Sequence, residues 1–213
     1  MSRIDEAAAP ATSNQSRRKQ LTPHSLAFYL DVVMSGTVLG AKPADSPAQV
    51  DAILGSDFAE NFAGDNSMGR DYGLVEFFWV RESLEHPWEG HHFTLQVHRL
   101  THYGSSIVNE AIRERYGRFG RHLRFDKLQR LLSNRGVCLE DVPDANAPAF
   151  TLHWQPASRV SVMAFREREG HRHGHRRHGN DLVGDVHKIS SSLTAEQVAW
   201  NKARYGPRRT SPA

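Results

Sequence analysis

The sequence predicts an α+β fold: an antiparallel sheet built from two hairpins, with helices packed on one face. Three observations carry this expectation. Tyr72–Val80 is rich in aromatic and β-branched residues, and His92–Leu100 alternates strictly after a polar loop holding Pro87 and Gly90. A second pair of apolar segments, Ala149–Gln155 and Arg159–Phe165, flanks the turn Pro156-Ala157-Ser158. Before the first pair and between the two, the apolar spacing is helical. Helices and hairpins therefore come in blocks, which favours antiparallel pairing over βαβ alternation.

The first element expected is a helix over Pro23–Ser35. Thr22 can cap it, and Pro23 suits the first helical position. Leu26, Tyr29, Leu30 and Val33 fall on one face, and Gly36 suits a left-handed stop. A second helix, Pro47–Leu54, opens on a Ser46/Gln49 capping box, buries Val50, Ile53 and Leu54, and stops at Gly55. The hairpin of Asp71–Leu100 follows. In its second strand Phe93, Leu95 and Val97 alternate with Thr94, Gln96 and His98, giving one buried and one wet face. Ser106–Tyr116 reads as helical, with Ile107, Ala111 and Ile112 on one side and Gly117 and Gly120 interrupting it. Phe125–Asn134 is a helix with Phe125, Leu128, Leu131 and Leu132 as its apolar face. After the second hairpin come a short strand at Asp185–Ile189 and a closing helix at Ala195–Arg204. Thr194 and Gln197 cap that helix, and Val198 and Trp200 give it something to bury. No internal repeat is visible.

Composition bounds the rest. Residues 1–20 and 205–213 carry few large apolar side chains and are expected to be disordered tails around a single domain at 21–204. A Gly/His/Arg-rich loop at 166–180 is expected to be flexible. No apolar run reaches the length of about 18 residues that a membrane span needs, and no hydrophobic stretch follows the N-terminal basic residues. The single cysteine, Cys138, excludes an internal disulfide, and a cytoplasmic location is expected. Cys138 reads as a small half-buried side chain near a helix end, with no base or Gly-rich turn to activate it. There is no P-loop, GxGxxG after a strand, GxSxG, HExxH or CxxC, so neither an enzyme nor a cofactor is expected.

The net charge of +3 conceals an asymmetry. Residues 21–110 hold 12 acids against 4 Lys/Arg, a balance of −8, and residues 111–213 hold 10 acids against 19 Lys/Arg, a balance of +9. Such a chain presents an acidic and a basic surface to different partners, unless the halves interleave in space. The acidic half offers a protein-binding set: Asp65, Asp71, Glu76, Glu82, Glu85, Trp88 and Glu89, with Asp57, Glu60 and Trp79 nearby. Acids with aromatic anchors suit a basic protein. Trp79 reads equally as core. The basic half offers the alternative, nucleic acid. Arg115, Arg118, Arg121 and Arg124 recur every three residues and continue to Lys127 and Arg130, with Tyr116, Phe119 and Phe125 interleaved for stacking. A three-residue step winds around a helix, so the series does not make one stripe. His171, His173, His175 and His178 could ligate a transition metal, but Arg168, Arg172, Arg176 and Arg177 surround them and repel a cation. His92, His98 and His102 share the polar parity, and one of them could form an acid/base pair with Glu76 on the partner strand.

The stretch Met68-Gly-Arg-Asp-Tyr-Gly-Leu-Val-Glu-Phe-Phe-Trp79, followed by Phe93-Thr-Leu-Gln-Val-His-Arg-Leu100, resembles small actinobacterial proteins of the polymorphic-toxin immunity type. Gly55-Ser-Asp-Phe58 after a short helix is similar to that group as well. The resemblance covers about residues 25–165 and rests on structural motifs. It implies a non-enzymatic α+β binding module that sequesters a basic toxin domain. The His/Arg loop and the basic tail have no counterpart in it.

Overall fold

A computed structural model describes residues 24–166 and 182–206. Thr22 and Pro23, the tail 1–20, His171, His173, His175 and His178, and residues 207–213 lie outside that description. The chain is α+β, and its described residues form six α-helices and eight strands in one wholly antiparallel sheet. In chain order these are α1 (His24–Ser35), α2 (Pro47–Leu54), β1 (Ala59–Phe62), β2 (Ser67–Asp71), β3 (Val75–Val80), β4 (Glu89–Leu95), α3 (Arg99–Tyr103), α4 (Glu110–Tyr116), α5 (Phe125–Ser133), β5 (Glu140–Val142), β6 (Phe150–Gln155), β7 (Val160–Phe165), β8 (Val186–Ser190) and α6 (Ala195–Tyr205). A 3₁₀ turn, Gly104–Ile107, links α3 to α4.

The strand order is β1-β2-β3-β4-β8-β7-β6-β5. Both expected hairpins are present, as β3–β4 and β6–β7. Each belongs to a four-stranded meander, and the two meanders meet only through β4 and β8. The acidic half of the chain supplies one meander and the basic half the other, so the halves do not interleave within the sheet.

One face of the sheet is the core. Val75, Phe77, Trp79, Phe93, Leu95, Val160, Val162 and Ile189 join Phe28, Leu30, Ile112 and Leu128 in a single buried cluster. Trp79 is fully buried and its indole N–H donates to the Asp45 carbonyl at 2.8 Å, so it is core and not a partner anchor. Helices α1 to α5 contribute buried residues to this cluster. Helix α6 departs from the one-face arrangement. Val198 packs with Val142, Leu152 and Trp154, whereas the intervening His153 stacks on Phe125 of α5 on the other side of β6.

The capping boxes at Ser46 and Thr194 both form, because each N-cap hydroxyl accepts the third N–H while the Gln side chain returns a bond. Other boundaries differ from expectation. The second hairpin strand ends at Leu95, and Arg99 to Thr101 turn into α3 because their N–H groups bond back to the carbonyls of Gln96, Val97 and His98. Tyr72-Gly73-Leu74 is a turn, not strand. Strands β1, β2 and β5 were not legible, being short and polar. Tyr205 extends α6 into the expected tail. Trp200 is 54% exposed, in edge-on contact with Tyr205 instead of buried, and Cys138 is exposed instead of half-buried.

Gly73 sets the turn that opens β3. Its φ is +90°, and a Cβ there would stand 1.9 Å from the Ile107 carbonyl oxygen. Gly73→Ala should lower the unfolding free energy by about 3 kcal/mol in urea denaturation, since backbone strain and a clash combine. Gly64→Ala, also at positive φ (+75°) but with nothing within 4 Å, should cost about 1 kcal/mol.

Candidate partner-binding face

Opposite the core lies a face of β2, β3 and β4 on which no helix packs among the described residues. Strand alternation places Ser67, Gly69 and Asp71 of β2, Glu76, Phe78 and Val80 of β3, and His92 and Thr94 of β4 on it. Registry lines Asp71, Glu76, Thr94, Ser190 and Ser161 into one polar row across the sheet. Arg99, at the start of α3, reaches back over this row. One guanidinium nitrogen donates to Asp71 Oδ2 at 2.8 Å and to the Gly73 carbonyl at 3.0 Å, and the other donates to Glu76 Oε1. The second oxygen of Asp71 accepts the Gly73 N–H at 2.7 Å, and that of Glu76 accepts the Gln96 amide. The proposed Glu76–histidine acid/base pair is therefore not formed. Glu76 is held by Arg99 and Gln96, His98 stacks on His187, and His102 is exposed on α3.

Beside this network the Phe78 ring stacks on His92, centroids 4.4 Å apart and planes 11° apart. Gly69 makes room for the ring: a Cβ there would sit 3.1 Å from Phe78 Cε1. The result is a hollow of about 240 Å³ bounded by Asn61, Ser67, Gly69, Asp71, Glu76 and Phe78. Burial, and then the adjacent His91, lower His92 to about 4, so its imidazole is neutral at pH 7.

The remaining predicted acids lie at the end of the same meander: Asp65 in the β1–β2 turn, Glu82 and Glu85 in the β3–β4 loop, and Glu89 at the start of β4. Asp65, Glu82, Glu85 and Glu89 are exposed. Trp88 is half-buried, capped by the Arg81 guanidinium at 4.2 Å, and lies 6.3 Å from the Phe62 ring. Arg81 and Asn66 tie this loop to the β1–β2 turn through the carbonyls of Asp65 and Glu82. Phe62 (60% exposed), Leu84 (64%) and Val80 (37%) stand among the acids. Sequence reasoning missed these three, together with Arg99, Gln96 and Phe78. The alternation of β3 marked Phe78 and Val80 as outward-facing. Nothing local marked Arg99, which meets Asp71 across 28 residues.

The members of the basic series have different surroundings. Arg115 lies over Tyr116, Arg118 is exposed, Arg121 donates to the Thr101 carbonyl, and Arg124 bonds the Val183 carbonyl and Asp185. The interleaved aromatics are committed elsewhere. Tyr116 and Phe119 are buried in the core and Phe125 stacks on His153, so none of these three is free for base stacking. Among the described residues no group of three or more His, Cys, Asp or Glu is placed to hold a metal ion. No helix among them is long and apolar enough to cross a membrane. No family model matches the chain, and no match to a curated protein or to a solved structure was found.

Where the two meanders meet, His98 and His187 stack at 4.3 Å, and Phe150 and Phe165 pack against His187 at 4.7 and 5.0 Å. His187 Nδ1 is buried with no hydrogen-bond partner. Burial first, then His98 and Lys188, push His187 down to about 3. The folded state thus resists protonation at a group that titrates near 6.5 in the unfolded chain. The unfolded chain binds more protons in this window, so stability is full above about pH 6.5 and falls as pH drops toward 3. His187→Phe should flatten the urea midpoint between pH 7 and pH 4. A profile as steep as that of the native chain would show that this site does not set the acid limb.

Proposed function

We propose that this chain is a non-enzymatic protein-binding module whose β1–β4 meander receives a basic protein, and that the basic partner is a toxin domain it neutralises. The observation that carries the reading is the end of that meander. Large apolar side chains at Phe62, Val80 and Leu84 stand exposed, as do Asp65, Glu82, Glu85 and Glu89. A single exposed leucine is ordinary, but apolar groups on neighbouring hairpin ends with four exposed carboxylates close by in the chain suit a protein interface. Acidic rims also steer a basic partner and make its association salt-dependent. The likeness of the β2–β4 sequence to immunity-type proteins supports the same reading and gives the partner its character.

The test begins with capture from the native host, using the full chain as bait, and mass-spectrometric identification of what is retained. The retained protein, made separately, is then titrated calorimetrically against the native chain, Leu84→Asp and the pair Glu82→Lys/Glu85→Lys. Both variants should bind at least about tenfold more weakly, a loss near 1.4 kcal/mol, with thermal midpoints unchanged. No retained protein, or a retained protein indifferent to both variants, overturns the reading. Binding to random duplex DNA at low salt that weakens steeply as salt rises would instead favour Arg115, Arg118, Arg121 and Arg124.

A further inference from the structure

We propose that the hollow beside Phe78 is a socket for one cationic side chain, a lysine or arginine of the partner, with Asp71 and Glu76 as its counter-charges. This deepens the protein-binding reading and rests on it for the partner's identity.

Size comes first. At about 240 Å³ the hollow falls below the roughly 300 Å³ at which drug-sized ligand sites begin, and it suits a single side chain. Gly69 and the Phe78 ring packed against it form part of its wall, and a Cβ at Gly69 would meet that ring at 3.1 Å. His92 covers one face of the Phe78 ring, and the ring's other side lines the hollow over Gly69. An aromatic wall receives an alkyl stem and attracts a cation at its end.

Charge selects the occupant. Asp71 and Glu76 share one guanidinium, that of Arg99, so one negative charge is left over. Each of the four carboxylate oxygens accepts one of the bonds described above, and each keeps capacity for another. Arg70 also lines the hollow but does not supply the missing charge, because Asp51 and Glu60 hold its guanidinium at 2.6 and 2.7 Å. The side chains of Asp71 and Glu76 are only 28% and 14% exposed, so a cation placed here acts through a medium less screening than bulk water. An anion would meet two carboxylates, and a neutral group would leave the surplus charge unanswered.

The site is testable without the partner. Uniformly ¹⁵N-labelled full chain would be titrated at fixed ionic strength with butylguanidinium chloride, with the uncharged butylurea and with butyrate. Butylguanidinium should shift the amides of Gly69, Glu76 and Phe78 saturably, butylurea should bind at least about fivefold more weakly, and butyrate should leave them in place. Glu76→Gln should weaken the butylguanidinium response. Asn61→Trp, which fills the hollow from an exposed position on β1 and leaves both carboxylates intact, should abolish it even if Glu76→Gln proves unstable. Equal responses to butylguanidinium and butylurea, or a response untouched by Asn61→Trp, overturn the socket. That failure would leave the loop surface around Leu84 standing. A socket that binds butylguanidinium in a chain that retains no protein would instead separate the site from the protein-binding reading.

Discussion

The junction between β4 and β8 is the constraint on which the rest of the structure depends. Only Thr94↔Ser190 and Leu95↔Ile189 pair across it, yet it makes one eight-stranded sheet of two four-stranded meanders. Side chains complete what the short ladder leaves undone. Ser191 Oγ accepts the Phe93 N–H at 3.0 Å, Ser190 Oγ donates to the Phe93 carbonyl at 3.1 Å, and the His98 N–H reaches the His187 carbonyl at 3.1 Å. Small hydroxyl side chains suit this position because they bond to backbone without separating the strands. The helical layer then locks the junction from the core side. Helix α1, from the first half of the chain, lays Phe28 and Tyr29 against Phe119, and Phe28 also against Tyr116, all with edge-on ring contacts. Its C-terminal end docks on the β6–β7 turn, where Ser158 Oγ donates to the Val33 carbonyl at 2.6 Å. A Cβ at Gly36 would come within 2.7 Å of the Ser158 carbonyl oxygen, so this approach requires glycine.

That architecture turns a charge imbalance along the chain into one across the sheet. Because each half builds a contiguous meander, the eight acids of residues 57–89 gather on β1–β4 and their loops instead of mixing with the arginines of the second half. The helical layer does mix the halves, since α1 packs on α4 and α5. Charge separation is thus a property of the sheet and its loops, where the proposed interface lies.

Asp71 and Glu76 have a structural role as well as a proposed binding one. Through Arg99 they fix the first turn of α3 to β2 and β3, and this holds the chain where it leaves the strand direction after Leu95. The more exposed acids around Leu84 carry no comparable internal bonds to Arg99. A division follows between a rigid, half-buried acidic floor and a solvated acidic rim, which is how interfaces with a central anchor and a polar periphery are built.

Local chemistry determined the elements whose signals are local. The capping boxes at Ser46 and Thr194, the aromatic run into Val80, the apolar face of α5 and the turn at Pro156–Ser158 all declared themselves in the sequence, because helix caps, periodicity and turns involve residues a few positions apart. Of the site, the sequence by itself determined which residues are acidic and that Phe78 and Glu76 share a face of their strand. Tertiary structure alone decided that Trp79 is core, that Tyr116 and Phe119 are unavailable for stacking, that Arg99 joins Asp71 and Glu76, and that the two meanders meet at β4 and β8. Each of those outcomes depends on partners tens of residues away, and the free energy that selects them comes from burial and pairing that no short window of sequence contains.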